Sequence, residues 1–364
     1  MKVSYYIWFL YLVLFPFYLF SEGNPQLADA LGALLILLNI KTIITSVFDS
    51  SFTKFLLFFV LYAVIISAIW MANLDDILIL RNSIYYVYSF LIFLFVYGNI
   101  NNDDFLKMTF YGLLTSALIQ CILIPLNLDQ GFRAQLFFNN PNQLALWSLC
   151  VIIISNSISL LTSKYKKATL ALSVIASIFI VLSASRSAVV CVMIFWLFFF
   201  VKSRKHFLTS SAILISVFAF FYFSESKVLN QISQFTYITD RLTSNKVSGH
   251  STLDERGYSR IFDYPQHLIF GAAEGSNYRF NTKIELHSTL PNILFSYGII
   301  GFILFGIALS KIAIKPYKDV LILFLIIMIF AYVHMILRLP IFWLTLLFLY
   351  TLKVKKENSD LLPN

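Results

Sequence analysis

Apolar runs of about 18 residues or more recur along most of this 364-residue chain, and each is long enough to cross a hydrocarbon core of about 30 Å. Hydrophobic residues make up 59% of the chain and charged residues 12%, with 38 Phe and 20 Tyr. A soluble domain is not written this way. The sequence predicts an all-α polytopic membrane protein, with residues 1–364 forming a single integral membrane domain. Taken in order, the runs predict about twelve transmembrane helices at 3–20, 27–48, 54–72, 77–98, 105–126, 143–163, 168–185, 187–201, 207–223, 289–310, 319–337 and 339–352. One long polar loop, residues 224–286, separates spans 9 and 10. The first run follows only Lys2 and lacks a small-residue cleavage pattern, so it reads as a retained span. Cys121, Cys150 and Cys191 lie inside apolar runs and read as packing residues, with neither a disulfide framework nor metal-ligand spacing.

The formal charge of +9 must be sorted by membrane side before it says anything about partners, and it is no sign of nucleic acid. Lysine clusters follow the sixth, eighth and tenth runs and end the chain, so all fall on one side, which the positive-inside rule makes cytoplasmic together with both termini. The cations also divide by type. With this count of spans, the inner side holds 15 lysines and one arginine, and the outer side holds three lysines and eight arginines. A guanidinium is never neutral and binds phosphate oxygens in pairs, so an arginine-rich outer face suits an anionic, phosphate-bearing ligand. Pairing with lipid headgroups or with loop carboxylates is the plainer alternative, and it is preferred for Arg241 and Arg279.

Several outer residues stand out. His287 sits where the long polar segment runs into an apolar helix, in ELHSTLPNILFSYGIIG at 285–301. An imidazole there, wetted but close to lipid, suits a proton acceptor; capping a membrane helix is the plainer role. Gly298 and Gly301 are expected on one helical face that a neighbouring helix approaches closely. Arg186 lies between two apolar runs with almost no loop, where a guanidinium either faces a functional cavity or snorkels to headgroups. Arg133 precedes Asn139–Asn142, whose Pro141 and asparagines are ordinary helix-start chemistry; Arg133 itself is read as positioning an anionic or sugar ligand. Arg256 and Arg260 are four apart, so a short helix presents both on one face, either as a phosphate clamp or as an ion network with Asp254, Glu255 or Asp263. Glu274, flanked by Gly271 and Gly275, is read as a structural partner for an arginine, and His250 and His267 as exposed loop residues. No metal-ligand cluster, phosphate-binding glycine loop or nucleophile elbow occurs.

Arg133 with FNNPNQLA, the SASRSA turn at Arg186, a loop arginine followed by LIFGAAEG, and His287-Ser288-x9-Gly298-x2-Gly301 resemble, in order and spacing, the O-antigen ligase and O-antigen polymerase (Wzy-type) superfamily. The resemblance covers roughly residues 131–301. It implies an inner-membrane glycosyltransferase, free of metal and cofactor, whose active site is periplasmic and whose donor is an undecaprenyl diphosphate-linked oligosaccharide. By position, His287 is the implied general base, and Arg186 with a loop arginine binds the donor diphosphate. That loop arginine is Arg256 or Arg260, with Arg256 preferred. Polymerase is favoured over ligase, which would transfer the glycan to lipid A core. A chain-length regulator and a flippase are the implied partners, besides membrane lipids. The rival from another class is a transporter, such as a lipid-linked oligosaccharide flippase, which should show internal repeats and interrupted helices with charges at mid-membrane.

Overall fold

The computed structural model describes residues 2–20, 24–124, 133–202, 256–281 and 284–360. Regular structure among them is entirely helical. In chain order the helices are α1 (Val3–Leu14), α2 (Leu27–Leu38), α3 (Ile40–Ser46), α4 (Ser51–Leu74), α5 (Leu78–Tyr97), α6 (Asp103–Leu123), α7 (Pro141–Thr162), α8 (Lys166–Leu182) and α9 (Arg186–Lys202). After the described gap come the short α10 (Ser259–Asp263), two 3-10 turns (Pro265–Leu268 and Asn277–Phe280), α11 (Thr289–Ala313), α12 (Lys318–Val333) and α13 (Pro340–Asp360).

Five described helices, α4, α5, α6, α7 and α11, are long and apolar enough to cross a membrane, and α2 with α3 makes a sixth if they count as one bent span. The chain is a helical membrane protein, but the expected twelve spans are not reached among the described residues. The run at 207–223 and loop residues 224–255, His250 and Arg241 included, lie outside them. The other runs also change shape. The one expected at 3–20 yields a helix of 12 residues, because Pro16 has no N–H to extend the ladder. The one expected at 27–48 bends by 78°. At the break Asn39 leaves helical geometry, and its side-chain amide donates to the Leu35 carbonyl at 2.9 Å. α12 stops at Val333, short of the run expected at 319–337, so the turn expected at Arg338 widens into the link His334–Leu339, and α13 runs on to Asp360.

α7 is the central helix, since 89% of its apolar window is buried. It packs on α6, α8, α9, α12 and α13. Few polar side chains fasten neighbours: the Trp8 indole donates to Thr109 across α1 and α6 (2.8 Å), and the Trp196 indole donates to Ser177 across α9 and α8 (3.0 Å). In hydrocarbon such bonds contribute about 1 kcal/mol each.

The links sort to two ends. At one end Lys164 pairs with Asp103, Lys356 with Asp319, and Lys353 donates to the Lys311 carbonyl. At the other, Asp76 meets Ser276, Ala134 donates to the Leu182 carbonyl, Ser187 meets His334, and Arg338 meets Glu274.

α11 is not continuous. Gly298 has φ +62° and ψ −172° inside it, which breaks the ladder and exposes the carbonyls just before it. The loop strand Ile269–Ala273 occupies the break. The Ala272 amide donates to Phe295 O (3.0 Å), the Ala273 amide to Ser296 O (2.8 Å), while Tyr62 and Trp70 of α4 donate to the Phe270 and Gly271 carbonyls. Gly298 therefore admits a loop strand, where a neighbouring helix was expected. A Cβ at Gly298 would lie 2.2 Å from the Ile269 carbonyl oxygen, and one at Gly271 would lie 2.3 Å from that of Ser296.

Gly298→Ala should therefore lower stability by at least about 2 kcal/mol, from left-handed strain plus the backbone clash. Gly306→Ala, with nothing within 4 Å, should leave it unchanged or raise it. Thermal unfolding of the solubilised protein reads both, and a Gly298→Ala protein as stable as wild type would count against the docked strand.

Candidate functional site

The docked strand delivers Glu274, 4% exposed, to the centre of a polar network. Arg338 grips one carboxylate oxygen through Nε (3.0 Å) and Nη2 (2.6 Å), Asn292 donates to the same oxygen at 3.2 Å, and the Tyr86 hydroxyl donates to the other. Arg338 Nη2 also reaches Glu285 at 3.0 Å. Burial works against the guanidinium's charge, but Glu274 and Glu285 outweigh it and hold its pKa above the ordinary arginine value. The expected arginine partner of Glu274 is thus Arg338. Losing one member of such a pair leaves the other charged and buried, which costs about 3–5 kcal/mol.

Glu285 lies two residues before His287, and both line a cavity of about 420 Å³ at this end of the bundle. His334, Arg338, Arg81, Asp29 and a row of amides, Asn139, Asn140, Asn142 and Gln143, line it too. The His287 pKa is pushed down chiefly by burial, with Arg256 and Arg260 adding to the shift and Glu285 opposing it. Its imidazole is therefore neutral near pH 7 and able to accept a proton.

The remaining predicted residues sit around the cavity without lining it among the described residues. Arg256 donates from Nη1 to Val333 O (3.3 Å), and its own carbonyl accepts the His287 amide (3.4 Å). Arg133 donates to Ser183 O (2.9 Å) and to the Asn142 side chain (3.0 Å), tying the α8 terminus to the start of α7. Arg186 is exposed at the first turn of α9, and the next residue, Ser187, meets His334 Nε2 at 2.9 Å. Arg260 departs from expectation. α10 begins at Ser259, so Arg256 lies in the turn before it and the two arginines do not share a helical face. Arg260 is 4% exposed, lies over the Phe280 and Phe295 rings, and donates to Asn277 (2.8 Å) and to the Ile284 carbonyl. It pins the loop internally.

Arg279 is likewise structural, though not through the headgroups or carboxylates expected: it stacks on Trp70 (4.8 Å) and donates to Ala272 O at 2.7 Å. His267 was read as an exposed loop residue, but it packs against Trp70, Phe280 and Phe295, and burial lowers its pKa.

His334 and Arg338 were not singled out as site residues. Arg338 fell between the last two expected runs, so the signal that singled out Arg186 applied to it, whereas His334 lay inside the run expected at 319–337. A larger cavity of about 620 Å³ opens at the lysine-rich end beside Asp49, Tyr97, Asp103 and Lys355. Two of its charges are engaged, Asp103 by Lys164 and Lys355 by the Leu161 carbonyl. No family model matches this sequence, and a search of curated proteins finds no match.

Burial, then Arg256, Arg133 and His287, lower the His334 pKa to about 4. An unfolded imidazole titrates near 6.5, so between about pH 6.5 and 4 the unfolded chain binds the extra proton and stability falls as the medium is acidified. At pH 5 the loss from this group should reach about 2 kcal/mol relative to pH 7.5. His334→Gln cannot titrate, so its melting temperature should fall less than that of wild type over this interval. Equal falls would contradict a buried neutral imidazole at 334.

Proposed function

We propose that the chain is an O-antigen, or surface polysaccharide, polymerase that joins undecaprenyl diphosphate-linked repeat units at the periplasmic face of the inner membrane. The observation that carries this reading is His287, the histidine of the His-Ser-x9-Gly-x2-Gly pattern, lining a polar cavity at the end of the bundle opposite the lysine clusters. By the positive-inside rule the lysine end is cytoplasmic, with both termini, and the cavity end is periplasmic.

In this mechanism a hydroxyl of the incoming lipid-linked unit attacks C1 of the sugar carrying undecaprenyl diphosphate. The hydroxyl oxygen bonds to C1 and its proton passes to His287. The bond from C1 to the phosphate oxygen breaks, and the electron pair leaves on the diphosphate. Arg186 and Arg256 supply fixed positive charge to the departing group. Arg260 acts indirectly, by holding the loop from which Arg256 projects, and Arg133 by holding the start of α7 beside the cavity. A flippase supplies the donor and a chain-length regulator sets its extension.

A ligase reading keeps the same chemistry and changes only the acceptor, to lipid A core. The transporter reading gains one specific observation, since interrupted helices were its expected mark and breaks occur at Asn39 and Gly298. At Gly298, however, the carbonyls before the break are taken by the Ala272 and Ala273 amides, so the break serves the loop instead of a solute. Polymerase therefore remains the preferred reading.

In a deletion strain complemented with His287→Ala, long-chain polymer should fall at least about 100-fold, the usual contribution of a general base, leaving core capped by a single repeat. Bare core with accumulated lipid-linked polymer would instead identify a ligase, and unchanged chain length would contradict the catalytic role. Arg186→Lys keeps the charge and loses the planar fork, so it should also reduce polymer; full activity would exclude a bidentate contact.

A further inference from the structure

The cavity has a second chemical character that acid-base chemistry does not use. Beside its charged residues, its lining includes four consecutive or near-consecutive amides at the start of α7, Asn139, Asn140, Asn142 and Gln143, together with Tyr18 and Tyr85. A side-chain amide has a donor end and an acceptor end. Three of these amides commit one end to the protein. Asn139 donates from Nδ2 to Phe20 O (3.3 Å), Asn140 Oδ1 accepts the Asn142 amide as the helix cap (2.8 Å), and Asn142 Oδ1 accepts from Arg133 (3.0 Å). Helix capping and two links to Phe20 and Arg133 account for those ends alone. It leaves the Asn139 oxygen and the Asn140 and Asn142 NH₂ groups for the cavity. Gln143 lines the cavity as well, and no described residue engages its Nε2, whereas its Oε1 is enclosed without a hydrogen-bond partner and does not open onto the cavity.

We infer that these amides form the subsite for the uncharged saccharide of the substrate, Gln143 and Asn140 being specificity-determining contacts. A sugar ring offers hydroxyls that each donate and accept, which matches a row of mixed amide donors and acceptors. It also carries an apolar face, which suits the rings of Tyr18 and Tyr85. A phosphate, being acceptor-only, would instead require the cations on the other part of the lining. On this inference the α7 amides take the neutral glycan, and guanidinium groups take the anionic carrier. This inference rests on the polymerase reading for the identity of the glycan, but its test does not depend on turnover.

Two variants alter amide ends that no described residue engages. Gln143→Leu deletes the whole amide and breaks no hydrogen bond among the described residues, and Asn140→Asp keeps the capping oxygen, loses the NH₂ donor and adds a negative charge. The full chain, purified without sugar-based detergent and placed in phosphatidylethanolamine nanodiscs, would be examined by saturation-transfer NMR. The probes are glucose, galactose, N-acetylglucosamine and, separately, inorganic diphosphate. At least one saccharide should bind wild type, and each variant should weaken it about tenfold, the equivalent of one hydrogen bond, with diphosphate binding to Gln143→Leu unchanged and its melting temperature equal or higher. No saccharide binding to wild type, or undiminished binding in both variants, would overturn the subsite. Should saccharide binding depend on Gln143 while His287→Ala leaves polymer intact, the subsite stands and the polymerase reading falls.

Discussion

The seating of the loop strand Ile269–Ala273 in the break of α11 is the interaction on which the rest of this structure depends. Gly298 lies nine residues into α11, about 14 Å along the helix, a depth at which an unsatisfied backbone group costs several kcal/mol. The loop and the helix solve each other's deficit: the carbonyls freed at Phe295 and Ser296 are the partners of the Ala272 and Ala273 amides. Tyr62 and Trp70 then take up the Phe270 and Gly271 carbonyls from the α4 side. Neither element can adopt its conformation alone. Both glycines at the contact have positive φ, and a side chain at either would meet backbone, which cannot move aside cheaply.

From that seat the polar network follows in order. Glu274 is one residue beyond Ala273 and so is carried into the bundle, where burial demands a partner. Arg338, from the link between α12 and α13, meets the demand and extends to Glu285, two residues before His287. The position of the imidazole is thus transmitted through one carboxylate, one guanidinium and a second carboxylate. Short hydrogen-bonded ion pairs fix orientation more firmly than apolar contact does, which suits a group that must meet a substrate oxygen within hydrogen-bond reach. Burial, with the charges of Arg256 and Arg260, keeps His287 uncharged against the opposing pull of Glu285.

The helical membrane class was legible in the sequence, and the reasons for what was not are physical. Apolar periodicity located most helices, but it could not locate breaks in them, because a run of apolar residues reads the same whether the backbone is continuous or interrupted. Asn39 and Gly298 each break a run, and only Asn39 carried a polar warning. His287 was visible because a lone imidazole stood at a polar-to-apolar boundary. Arg260 misled because spacing gives the face of a helix only once the helix start is known, and α10 starts after Arg256. His334 fell inside the run expected at 319–337 and Arg338 in the turn just after it, so the length of the link was hidden. Helix-start chemistry accounts for Asn140 but not for Asn139 and Asn142, and a cap uses one end of an amide, so sequence alone does not show what the other end faces.

The most direct test of the account is hydrogen exchange in lipid nanodiscs, followed at residues 268–275 and compared with α11. A strand whose amides are bonded to the carbonyls of a membrane helix should exchange as slowly as that helix, with Ala272 and Ala273 protected together. Rapid exchange at 268–275 beside a protected α11 would mean the strand is not seated, and the placement of Glu274, Arg338 and His287 derived from it would fail.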